Sequence, residues 1–471
     1  MAVLKLSTPG VYVQEISTMP PSVAEVETAI AGFAGYTEKA TQNGLSVTLI
    51  PTRVTNMTEY ELFFGGPPQE TEDSVTIDVL DLGGNNYTIT LKQDAAKKSR
   101  HNMYYAVMSF FDNGGGTCFI ASVGGYSAAP GTIASAEIKK GLDALKEVDE
   151  VTLLVVPEMQ YADTYKNVVQ DMINQAAELK DRFALIDPDQ ITAKTSALPS
   201  GDIAADADKI RSATVGVSSD RYAAAYYPNL ITTYGHNFKF DDLVIDTGTP
   251  ALVGKKMSDL GVGSVLYAKM KEAVGKVTVE LPPAAAMAGV YTRVDSTKGV
   301  WKAPANEAVN KVVGPSIPVS SREQENLNVD PGAGKSINVI RSFPGYGTLV
   351  WGARTLNGND NEWRYISVRR FFNMVEESIK KSIQWAVFEP NTVGTWVKVQ
   401  AMIENYLFLK WREGALAGVK PEQAFYVRVG LPATMTSLDV LEGRMNVEIG
   451  MAVARPAEFI VLKFTQLLQQ S

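Results

Sequence analysis

Between Val368 and Phe388 apolar side chains recur at helical spacing. Phe372, Val375, Ile379 and Ile383 fall within one narrow sector at about 3.6 residues per turn. The opposite sector carries Asn373, Glu377, Lys380, Lys381 and Gln384. Glu376 precedes Lys380 by one helical turn, as Glu377 precedes Lys381, in the favourable order for ion pairing. The pattern predicts an amphipathic helix with one buried stripe and one charged face; read alone, such a face meets water. A second helix, Trp396 to Arg412, carries a stripe of Trp396, Val399, Ile403 and Leu407, with Gly414 placed to cap its end. Ahead of both stand a Pro344-Gly345-x-Gly347 turn, a β-type run from Thr348 to Val350 and a polar loop from Leu356 to Glu362. This C-terminal part reads as α+β.

The middle of the chain has a different rhythm. Apolar runs at Cys118–Val123, Val151–Val156, Phe183–Ile186 and Ala223–Tyr227 predict strands buried on both faces. Helical periods fall between them, near Asn102–Phe111, Ser135–Val148 (with Ser135 as N-cap), Tyr161–Leu179 and Ile203–Ser212. This alternation predicts an α/β fold with a mostly parallel sheet. Residues 37–100 are turn-rich and β-like, with strands at Val47–Ile50, Thr76–Leu80 and Tyr87–Leu91. The run PPAAAMAGVYTRV from Pro282 reads as a tight connection between domains.

Both ends read as strands. Val11, Tyr12, Val13, Gln14, Glu15 and Ile16 follow a Thr8-Pro9-Gly10 turn, and Pro20-Pro21 then forces an extended segment. Glu458 to Phe464 is the last strand-like stretch, comprising Phe459, Ile460, Val461, Leu462, Lys463 and Phe464 after Glu458. A strand at a terminus can pair within its own domain or add to the sheet edge of another chain.

Composition narrows the function. The 471 residues suit several domains and are 45% hydrophobic and 20% charged, ordinary for a folded protein. A net charge of −8 argues against a nucleic-acid partner. Cys118 is the only cysteine, so no intrachain disulfide forms. No signal peptide and no membrane-spanning apolar run is read from the sequence.

The patterns of catalysis are incomplete. PGAGKS, Pro331 to Ser336, has Val329 where a phosphate-binding loop needs glycine, and no apolar strand leads into it. The two histidines, His101 and His236, stand far apart without a Cys or carboxylate cluster in sequence, which disfavours metal and triad chemistry. Asp241 and Asp242 are adjacent and on a strand would face opposite sides. No enzyme, cofactor or metal site is expected. A structural subunit fits better, whether part of a moving assembly or of a static shell or fibre.

Particular stretches resemble one family. TPGVYVQEI with PPSVAEVETAIAGFAGYTEKA, FFDNGGGTCFIASV, VDEVTLLVVPE, DRFALIDP and PPAAAMAGVYTRVDSTKGVWKAPAN are similar to segments of the contractile tail sheath proteins. So are SFPGYGTLVWGARTL, EWRYISVRRFFNMVEESI, WAVFEPN, GALAGVKPEQAFYV and VEIGMAVARPAEFIVLKF. These are the sheaths of phages and of extracellular contractile injection systems, and the first forty residues resemble the latter most.

The resemblance implies a subunit stacked in hexameric rings around an inner tube, with baseplate and cap proteins at the ends. Such a sheath is assembled in a bacterial cytoplasm. It shortens to drive the tube through a target membrane, without inserting itself. It also implies an inner α+β domain built from both chain ends, residues 1–36 plus 300–471 with the terminal arms. A β-rich insertion at 37–100 and an α/β outer domain at 101–299 would complete it. The strand arms would join adjacent subunits. The charged face of the Val368–Phe388 helix, with Asn373, Glu377, Lys380, Lys381 and Gln384, would face the tube.

Overall fold

A computed structural model describes residues 22–190 and 202–463. The chain divides into two compact units. The larger comprises Val26–Glu376 and the segment from Ala454 onward; the smaller comprises Glu377–Val453 and the stretch that ends at Glu25. These borders differ from those expected at residues 36, 100 and 300.

The reason lies in one sheet of eight strands. Across it run Gly347–Val350, Ile337–Phe343, Ala223–Tyr227, Phe183–Ile186, Leu153–Val155, Ala31–Thr37, Cys118–Gly125 and Thr52–Val54. The inner pairings are parallel, and the two outermost strands run antiparallel to their neighbours. Strands from residues 31–37 and 337–350 thus belong to the same sheet as the central α/β run.

Alternation along each strand sends side chains into two cores. Phe33, Cys118, Ile120, Leu153, Val155, Phe183 and Leu185 pack with helices Met103–Asp112 and Ala284–Lys298 on one face. Phe119, Ala121, Val123, Leu154, Ala184 and Ile186 pack on the other with helices Ser135–Lys146, Tyr165–Leu179 and Ile203–Ala213. Burial on both faces is what the continuous apolar runs require. Cys118 is buried at the sheet, and burial pushes its thiol far above the usual range.

The small residues after Pro283 form a helix, Ala284–Lys298, rather than a connection. They permit close packing on Met103–Asp112: a Cβ on Gly289 would lie 2.4 Å from the Phe110 carbonyl oxygen. Two further readings change. Val47–Ile50 is not a strand; Leu49 adopts φ 59° and turns the chain between the short strands Leu45–Ser46 and Thr52–Val54. Ser135 is the first helical residue rather than the cap, and its N–H is accepted by Asp163 Oδ1 at 3.0 Å.

Within the larger unit a third, smaller core lies under the hairpin Val75–Asp81/Tyr87–Gln93, the short strand Thr247–Gly248 and helix Val265–Gly275. The smaller unit is built on helix Val393–Arg412, whose Trp396, Val399, Ile403 and Leu407 are buried as the stripe predicts. Gly414 follows it with φ 87°. Its two-stranded sheet pairs Phe425–Val429 with Val447–Met451.

Candidate assembly surfaces

In a doubly wound sheet, ligands enter where the strand order reverses, at the carboxyl ends. Here that point lies beside Ala31–Thr37, whose neighbours are Cys118–Gly125 and Leu153–Val155. The chain fills the crevice itself. Glu158, fully buried, accepts the N–H of Tyr36 at 3.0 Å and that of Asn102 at 3.2 Å. His101 Nδ1 lies 3.6 Å from it. The ring's Nε2 accepts the Ser127 N–H at 3.1 Å, which assigns the ring proton to Nδ1, facing Glu158. Gly35 makes room: a Cβ there would stand 2.7 Å from Glu158 Oε2.

His236 is likewise paired, with Nδ1 2.9 Å from Glu70 Oε1. Both histidines therefore have carboxylate partners that sequence distance conceals. Among the described residues no group of side chains has the makings of a metal site.

The glycine-rich loop is closed in a similar way. Asp330 takes the N–H groups of Gly332, Ala333 and Lys335, where a phosphate loop would offer such amides to a ligand. Burial raises the Asp330 carboxyl, but these amides and Arg211 hold it below its ordinary range. Lys335 is buried and bonded to Asp220. Asp241 and Asp242 sit in a 3₁₀ turn, Phe240–Asp242, rather than on a strand.

The charged helix runs from Ile366 to Ser382, with a 3₁₀ turn at Gln384–Ala386 in place of its last expected turn. Its buried stripe centres on Phe371, Met374, Val375 and Ile379; Phe372 is half-buried against Trp363. Asn373 does not belong to the exposed face. It is buried, accepts from Arg369 Nε at 2.8 Å and donates to the Arg182 carbonyl at 3.3 Å. Glu376 reaches back to Arg369 Nη2 at 3.0 Å.

In the smaller unit Glu377 holds Lys380 at 3.1 Å and Lys381 at 3.4 Å. Lys380 is 71% exposed, and Gln384 is exposed. The outward charge is therefore the cluster of Glu377, Lys380 and Lys381 with Gln384 beside it.

The C-terminal stretch is not a strand within the chain. Phe459, Ile460, Val461 and Leu462 are 71%, 79%, 78% and 72% exposed. A strand lying on its own core would bury alternate side chains; here neither parity is covered. Lys463 is exposed too. Val11, Tyr12, Val13, Gln14, Glu15, Ile16 and Phe464 lie outside the described residues. The Phe425–Val429/Val447–Met451 ladder has two strands, and no third described strand continues it.

The descriptions "Phage tail sheath protein central domain" and "Phage tail sheath C-terminal domain" match residues 131–356 and 358–466. The sheath complex of an extracellular contractile injection system, PVC, in its contracted state is similar at 30% identity. It covers 98% of each chain at a TM-score of 0.63. A chain of the anti-feeding prophage baseplate is similar at 31% identity and the same TM-score, over 98% of this chain and all of that one. The tail sheath protein of Enterobacteria phage T4 is 26% identical over 130 residues, a match spanning 27% of this chain and 19% of that protein. With both domain descriptions matched and full-length likeness to solved sheaths, the chain belongs to the phage tail sheath family.

Proposed function

We propose that this protein is the repeating subunit of a contractile sheath. Its subunits stack as hexameric rings around an inner tube, between baseplate and cap proteins, and shorten to drive that tube through a target membrane. Assembly takes place in a bacterial cytoplasm. The chain acts mechanically and not as an enzyme. Its inner part, built from both chain ends, faces the tube. Glu377, Lys380, Lys381 and Gln384 meet the tube through contacts each worth about 0–1 kcal/mol, weak enough to break during the stroke.

The observation that carries this reading is the run Phe459–Leu462, apolar and exposed on both faces. Water is a poor resting place for four consecutive large apolar side chains. A neighbouring subunit's sheet edge is a good one, and the two-stranded ladder Phe425–Val429/Val447–Met451 offers such an edge. The N-terminal Val11–Ile16 is the second arm. Each backbone hydrogen bond contributes roughly 0.5–1.5 kcal/mol net, so several strand pairs form a link that persists while subunits rotate.

Two truncations test it, one removing residues 1–18 and one ending the chain at Glu458. Each should give a folded monomer that does not polymerise, read by size-exclusion chromatography and negative-stain microscopy. Sheaths of normal form from either would overturn the role of that arm.

A further inference from the structure

Past Glu458 no hydrogen bond or ion pair holds the tail among the described residues. Glu458 itself is gripped from three directions. Arg354 approaches with Nε at 2.9 Å from Oε1 and Nη2 at 2.8 Å from Oε2, a fork on both oxygens. Asn328 Nδ2 donates to Oε1 at 2.8 Å, and the Tyr365 hydroxyl to Oε2 at 3.1 Å. These three come from the end of helix Ser321–Asn328, the loop after Val350 and the residue before Ile366.

The Arg354 side chain is only 4% exposed, and its Nη1 donates to the Asn328 carbonyl at 3.2 Å. Its backbone is in turn locked to the sheet. The Arg354 N–H is accepted by Asn338 Oδ1 at 2.8 Å, and Asn338 Nδ2 donates to the Arg354 carbonyl at 2.7 Å. Asn338, fully buried, also donates to the Ala225 carbonyl at 3.1 Å. A continuous path of short bonds therefore joins the last held residue of the tail to two strands of the sheet.

We propose that Glu458 is the clamp of the C-terminal arm. It fixes where the arm leaves the larger unit and passes tension on the arm through Arg354 and Asn338 into the sheet. This rests on the arm reading above. An ion pair suits the task because its fork sets direction as well as strength, which an apolar contact does not. Placed one residue before the exposed run, it holds the tail up to Glu458 and leaves residues 459–463 unheld. Arg354 and Asn338 are positioning residues in this scheme.

Glu458→Gln keeps the side chain's size and removes its charge. In the full chain, hydrogen exchange of residues 454–463 should quicken by roughly tenfold. The melting temperature of the monomer should move by less than about 3 °C. The concentration needed for polymerisation should rise by roughly tenfold, and sheaths that form should fragment on contraction. Arg354→Lys keeps the positive charge without the fork and should do the same, which guards against Glu458→Gln failing to fold.

Unchanged tail exchange with intact sheaths would overturn the clamp. A lower melting temperature with normal sheaths would also overturn it, reducing Glu458 to a contact that stabilises the fold. If the chain ended at Glu458 polymerises normally, the arm reading itself fails. If that truncation blocks polymerisation while Glu458→Gln does not, only the clamp fails.

Discussion

Some buried charges in this protein sit in closed pairs, as Arg370 does with Asp295, so their loss is costly. Arg370 forks onto Asp295 at 3.0 and 2.5 Å and donates to the Thr28 carbonyl at 2.8 Å, with its guanidinium over the Tyr291 ring. Arg370→Ala strands a buried carboxylate and should cost about 3–5 kcal/mol, measured by urea unfolding. Glu458 gives a pH signature. Burial raises its carboxyl, but Arg354, Asn328 and Tyr365 outweigh that and hold it below the ordinary range. A depressed carboxylate stabilises at pH above its unfolded value and loses that contribution as pH falls through the folded one. The tail should therefore stay clamped at neutral pH and loosen in acid below the ordinary glutamate range, seen as faster proteolysis after residue 458. Glu458→Gln should abolish that pH dependence.

At the scale of elements, the sequence was most readable where one physical signal dominated. Phe183–Ile186 and Ala223–Tyr227 emerge with the boundaries their apolar runs suggest, because full burial leaves an unbroken hydrophobic stretch. Ile337–Phe343 was missed because Asn338 interrupts the pattern, and its amide is buried to hold Arg354. Ala284–Lys298 was missed because alanine and glycine give no stripe, yet small size is what the close helix contact needs. The tail looked like a strand from composition, but a strand needs a partner and the chain supplies none among the described residues.

The charged helix was found, and one of its supposed outward residues, Asn373, turned out to be buried, since Arg369 and the Arg182 carbonyl draw it in. Reversing Lys380 and Lys381 to Glu remains the direct probe of the tube contact. Empty contracted sheaths separated from their tubes are the expected product. Extended particles of normal appearance would return that face to solvent.

For the whole molecule, we propose that the energy of the stroke is stored in the assembly. A few kcal/mol of difference between two packing states, multiplied over many subunits, is ample. Purified particles exposed to acid or denaturant without nucleotide should appear at two lengths by negative-stain microscopy. A strict requirement for added ATP would refute stored energy as the source, and a single length under every condition would mark a static shell.

The carboxylate at the strand crossover bears on the same point. Glu158 occupies the place where related sheet architectures receive small molecules, and it takes the amides of Tyr36 and Asn102 for itself. A device that waits under tension among metabolites benefits from parts that ignore them. Sealing that entrance from within leaves the amides of Tyr36 and Asn102 closed to a visiting anion.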